Sequence, residues 1–201
     1  VEERTGSRPG ESGAYFRLNP RVEDIPERFS VSHRGVRLLE MGTVRGAGAG
    51  CVCPENSVVR ALVAHLILRE RETVLIDLVA GLEHLGRGTA ASVDVMFIVV
   101  EPGRRSLTVA ADIARLAGDL GIRTLWGIAN KVSTEDDLEF IHGRLGGLRL
   151  AGWLPFDESA VKADMRGDAV YDVAPLLAAR VQAIAGETGL LRGPRSEGER
   201  I

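Results

Sequence analysis

Cysteine is almost absent: Cys51 and Cys53 are the only two in 201 residues. Two are too few for a disulfide framework, which points to a reducing, cytoplasmic setting. Long apolar runs are also lacking. The longest, "VDVMFIVV" (93–100), falls far short of the ~20 residues that span a bilayer and fits a buried strand, so no membrane partner is expected. There is no excess of positive charge either. Twenty-five basic residues stand against 28 acidic ones, net −3, so no basic field invites nucleic acid. The opening "VEERTGSRPGESG" is polar and charged, unlike a signal peptide. No Gly-Lys pair, internal repeat or low-complexity block occurs anywhere in the chain.

What is present is the balance of a globular protein, 45% hydrophobic and 26% charged. A chain of this size can bury roughly 70% of its unfolded surface, so its core needs no covalent staple. Residues 1–34 are loop-like, with short helical turns near "VEDIPERFS". "GVRLLEMG" (35–42) reads as a strand. A helix follows from Asn56 or Ser57, with apolar residues at 58, 59, 62, 63, 66 and 67. "TVLIDLVAG" (73–81) and "VDVMFIVVEPG" (93–103) read as strands buried on both faces. An amphipathic helix covers 106–121, a strand 123–131, a helix 134–146 capped by Thr134 with Asp137 three residues on, and a strand 148–156. A last helix spans about 172–190, and 191–201 form a polar tail. The expected architecture is one α/β domain over 1–190, a doubly wound, mostly parallel sheet with helices on both faces. Ligands of such sheets bind where loops leave the strands' C-terminal ends.

Several of those loops carry chemistry. Asp77 ends an apolar strand and is followed within a few residues by glycine, either a carboxylate placed for magnesium or a cap of the following turn. Asn130 and Lys131 follow another strand. The Asn amide suits a purine edge, and the Lys stem could cover the ring or its ammonium approach phosphate; Asn is equally a turn former. "LPFD" (154–157) offers a second wall. Arg104 and Arg105 could face phosphate or simply begin a helix. His65 reads as a surface or groove residue, and Trp126 and Trp153 as core. Cys51 and Cys53, at i and i+2, could present two thiolates to one soft cation in an extended segment. That is half a tetrahedral set, so a closed site would need a second copy across a two-fold axis. A strained disulfide and two inert thiols are the alternatives.

Together, "GCVCPENSVVRALVAHLIL", "IDLVAGLEHLGRGTA", "VVEPGRRS" and "ANKV" resemble the CooC-type carbon monoxide dehydrogenase maturation ATPases, a branch of the MinD/ParA-like P-loop NTPases. The resemblance implies a cytoplasmic, ATP- and magnesium-dependent homodimer that loads nickel into carbon monoxide dehydrogenase, its client. It assigns Cys51 and Cys53 to a Ni or Zn site at the dimer interface and Asp77 to magnesium and the attacking water. Asn130, Lys131, Pro155 and Asp157 then lie by the adenine. Two departures stand out: the family's first strand with its deviant Walker A lysine loop has no counterpart here, and Val79 replaces the usual Glu or Pro. The missing strand and loop, together with the opening Val1, suggest an N-terminally truncated member, and the reading frame upstream of Val1 tests that expectation. With no lysine loop to cradle phosphate, weak or no hydrolysis is expected. The rival readings are a non-catalytic metal-binding scaffold and a MinD/ParA-like ATPase of another role.

Overall fold

The computed structural model describes residues 2–6, 17, 19–40, 53–67, 73–78 and 93–190. The chain divides into two compact units, Val1–Ser92 and Val93–Ile201.

In the first unit, α1 (Glu2–Thr5) and α2 (Ile25–Phe29) precede a hairpin of β1 (Val31–His33) and β2 (Val36–Leu38), and then α3 (Cys53–Ile67). The helical turn expected near "VEDIPERFS" is α2, started by Pro26 in its first turn, where a missing N–H costs nothing. Asp24 accepts from Arg4 Nη2 at 2.6 Å and Arg28 Nη1 at 3.1 Å. The Arg4 hydrogen bond, reinforced by Arg28, holds its carboxyl below the usual range. The strand expected over 35–42 is only Val36–Leu38 and pairs antiparallel with Val31–His33, rather than joining a parallel sheet. Arg34 (φ 49°) and Gly35 (φ 80°) explain this: two successive left-handed residues make the tight turn whose twist suits a hairpin. Helix α3 starts at Cys53, earlier than Asn56, because Pro54 sits in its first turn, where proline is tolerated. Val63 and Ser57 are buried, and the Ser57 hydroxyl donates to the Arg17 carbonyl at 3.4 Å.

The strand expected over 73–81 is corrected as well. Residues 73–78 lie in no strand, and Leu75 is 86% exposed. An apolar run becomes a buried strand only when neighbours take up its backbone N–H and C=O groups. No described strand pairs with this one. Residues 79–81 fall outside the described part.

The second unit holds the parallel sheet the sequence implies. Strands β3 (Met96–Val100), β4 (Leu125–Val132) and β5 (Leu150–Pro155) lie side by side in that order, all parallel. Helix α4 (Arg104–Asp119) crosses from β3 to β4, and α5 (Glu135–His142) from β4 to β5. Two consecutive β-α-β units therefore build an α/β sheet. Alternation along β3 buries Met96, Ile98 and Val100 and leaves Val99 57% exposed. The core continues through Leu107 and Ala110 of α4, Ala129 of β4 and Ile141 of α5.

After β5 come α6 (Glu158–Arg166), α7 (Val170–Val173) and α8 (Pro175–Glu187). The single helix expected over 172–190 is thus split. Pro175 lacks an N–H and forces its predecessor out of helical geometry, and Ala174 stands at φ −121°, ψ 70°. Helix α6 escaped the periodicity, although its ends are marked: Asp157 caps the start and Gly167, at φ 74°, stops it. Helix α8 packs on β5, with Ile184 buried over Gly152. No helix among the described residues is long and apolar enough to cross a membrane.

Candidate nucleotide-binding edge

Because the three strands run parallel, their C-terminal ends meet at one edge of the second unit. The β3–β4 ladder closes at Val100↔Ala129. On the other side of β4 the register runs from Ala129↔Trp153 to Val132↔Pro155, three steps against two. Strand β4 therefore carries one extra residue, a β-bulge, at Asn130–Lys131. Bulges re-aim side chains and interrupt pairing, often beside sites. Lys131 absorbs the irregularity at φ 56°, left-handed without being glycine. That conformation costs a β-carbon-bearing residue about 1–2 kcal/mol. Beside it, Asn130 is half-buried.

The ammonium of Lys131 is 2.7 Å from Glu101 Oε1. Glu101 follows the last residue of β3, and its N–H donates to Ser106 Oγ at 2.9 Å, which ties the strand end to α4. With the charge of Lys131 held by a carboxylate, the arrangement favours the stem as a surface over the ammonium as a phosphate ligand. Glu101 went unnoticed as a site residue in the sequence. Its signal was there: an acid ending one apolar strand and a lysine ending the next.

On the other side of the bulge, Val132, Ser133, Thr134, Glu135, Leu138, Trp153 and Pro155 line an open cavity of about 380 Å³. That volume is within the range of small-molecule clefts, and Trp153 and Pro155 give it flat apolar walls. Trp153, expected in the core, is instead part of this lining, with the Arg180 guanidinium 4.0 Å from its ring centroid. The Ser133–Thr134 part of the lining is held by the expected capping box. Asp137 N donates to Thr134 Oγ1 at 3.2 Å, while Thr134 N and Ser133 N donate to Asp137 Oδ2 at 2.9 and 2.8 Å. The Ser133 and Thr134 amides hold the Asp137 carboxyl below its ordinary 3.8.

A carboxyl so lowered contributes stability that is present above pH 3.8 and lost as pH falls through the lower folded value. Thr134→Ala is expected to cost about 1 kcal/mol, measured by urea unfolding at neutral pH. That difference should shrink in acid, once Asp137 no longer supports the other half of the box.

The structure brings some of the expected residues together and separates others. Asn130 and Lys131 form the bulge, and Pro155 lines the cavity that begins at the next residue, Val132. Asp157 is used locally: its Oδ1 accepts from Ser159 N at 2.8 Å and from the Ser159 hydroxyl, as the N-cap of α6. The Ser159 hydroxyl, followed by its amide, lowers the Asp157 carboxyl. Asp77, in the other unit, is exposed on residues 73–78. Cys53 opens α3, whereas its side chain and the whole of Cys51 lie outside the described residues. Among the described residues no group of three or more His, Cys, Asp or Glu side chains is gathered to hold a metal. Arg104 begins α4, the helix-start reading of that pair. His65 is half-buried on α3, its Nε2 without a partner among the described residues.

Parallel strands, crossover helices and an open C-terminal edge make the second unit an α/β domain consistent with the P-loop NTPase-like class. Comparison with known proteins makes this specific. The chain is 50% identical over 184 residues to the carbon monoxide dehydrogenase accessory protein CooC of Rhodospirillum rubrum, covering 92% of this chain and 70% of that protein. It is 43% identical over 169 residues to an uncharacterized ATP-binding protein of Methanocaldococcus jannaschii, covering 83% of this chain and 66% of that one. A second such protein of the same organism is 35% identical over 139 residues, 68% of this chain and 54% of the relative. No family model matches. The chain belongs to the CooC family of carbon monoxide dehydrogenase accessory proteins.

Proposed function

We propose that the chain is an ATP-binding accessory protein of nickel insertion into carbon monoxide dehydrogenase. The observation that carries the reading is the 50% identity to a carbon monoxide dehydrogenase accessory protein across nearly the whole chain. The bulged C-terminal edge supports it by supplying chemistry suited to adenine. The Asn130 amide has both a donor and an acceptor for a purine edge, and Lys131's stem and Pro155 offer apolar surface. Asp157 would add a polar wall through its capped loop. Asp77 would hold magnesium and orient the attacking water, so that its carboxylate works on the phosphates and not on the base. Cys51 and Cys53 would take the cargo, nickel or in its place zinc, as thiolates, two from each chain of a homodimer.

The rival reading is a scaffold that carries metal on the same two cysteines without using ATP. Reconstitution separates the readings. Nickel-free carbon monoxide dehydrogenase is supplied with limiting Ni(II), with and without the chain and with and without magnesium-ATP. Activation that needs both chain and ATP supports the ATPase reading. Activation by the chain alone supports the metal-carrying scaffold. No gain over Ni(II) alone contradicts both.

A further inference from the structure

The Glu101–Lys131 pair has the wrong position for a mere stabiliser. Lys131 is 57% and Glu101 49% exposed, and ion pairs so open to water contribute little to folding. Yet the pair joins the ends of two strands beyond the last rung of their ladder, where nothing in the β3–β4 register holds β4. It also grips the residue in the unfavourable left-handed conformation, the bulge residue next to Asn130. The other described lysine ion pair, Lys162–Glu158 at 3.2 Å, is an ordinary i,i+4 contact along a helix. Glu101 is itself fixed, since its N–H is bonded to Ser106 Oγ at the start of α4.

We infer that Glu101 is a positioning residue of the nucleotide edge. Its carboxylate anchors the Lys131 ammonium, and the anchor keeps the bulge in one conformation, so that the Asn130 amide is aimed before the base arrives. This rests on the adenine reading of Asn130. The physical consequence is a population effect. Without the anchor the backbone at Lys131 can relax toward ordinary strand geometry. Apparent affinity then falls by the fraction of molecules still holding the bulge. The same contact keeps the ammonium away from the phosphates, so that Lys131 serves the base end of the ligand.

The test uses the full chain and Glu101→Gln, which keeps the shape and removes the charge, with Glu158→Gln as the control at the other lysine. Before nucleotide is added, the Lys131 and Asn130 backbone resonances should shift and become more mobile in Glu101→Gln, and stay unchanged in Glu158→Gln. Titration with magnesium-ATP should give about five-fold weaker binding in Glu101→Gln. An unchanged melting temperature should accompany it, with part of the affinity restored in Glu101→Asp. Unmoved Lys131 resonances overturn the inference, and so does nucleotide affinity equal to wild type. Equal losses of affinity and melting temperature also overturn it, because they mark a structural role. A wild-type chain that binds no ATP overturns the nucleotide reading itself, and this inference with it.

Discussion

Replacing both Cys51 and Cys53 with serine is expected to abolish tight binding of Ni(II) or Zn(II). Thiolates are the donors that bind such an ion most tightly, and these two cysteines are the chain's entire stock of them. A serine hydroxyl does not ionise near neutral pH and offers nothing comparable. Two thiolates per chain complete a tetrahedron only with two from a partner, so wild type should bind about one metal per two chains. Full four-ligand sites of this kind hold zinc with about 10–16 kcal/mol at neutral pH. The double variant should therefore lose affinity by many orders of magnitude, not by a small factor. Metal should also move wild type from monomer toward dimer in light scattering and leave the variant unmoved. Protons compete for thiolates, so wild-type affinity should weaken as pH falls further below about 8.5. Undiminished binding by the double variant, or binding with no change of oligomer, would contradict the shared site.

The second large effect is structural. Gly152→Ala should destabilise the second unit by about 1–3 kcal/mol, the usual range for forcing a methyl into a filled core. A β-carbon at residue 152 would stand 2.6 Å from Ile184 Cγ1 and 3.1 Å from its Cδ1. Ile184 is 7% exposed and has little room to turn away. Because α8 rests on β5 through this contact, the strand that carries Trp153 and Pro155 to the cavity should loosen as well. Urea unfolding measures the loss, and a second substitution assigns it. In an Ile184→Ala background the clash is gone, so Gly152→Ala should cost much less there. If Gly152→Ala unfolds with wild type, or costs as much in both backgrounds, α8 does not pack on β5 in this way.

The legible parts of the fold were those fixed by local patterns. The apolar run at 96–100, the amphipathic stretch that became α4 and the Thr134–Asp137 box each specify their element with neighbours a few residues away. Residues 73–78 show the limit. Their composition is that of a buried strand, but a strand needs partners, and composition does not say whether they are present. The hairpin at 31–38 was hidden for another reason: its turn depends on Arg34 adopting a left-handed conformation that its identity does not advertise. At the site, Asn130 and Lys131 were visible as residues, whereas the bulge that distinguishes them is a property of register between strands. Asp157 was legible as a polar residue in a site loop, and its carboxylate is spent in part on capping α6.

An adenine nucleotide is expected to bind at the C-terminal edge of β4 and β5. Titration of the isotope-labelled full chain with magnesium-ATP, followed by backbone NMR, tests it most directly. The expected result is saturable shifts of the Asn130, Lys131, Ser133 and Phe156 amides, reproduced by adenosine and absent with tripolyphosphate. Shifts produced equally by tripolyphosphate, or a titration that leaves these four amides unmoved, would contradict it.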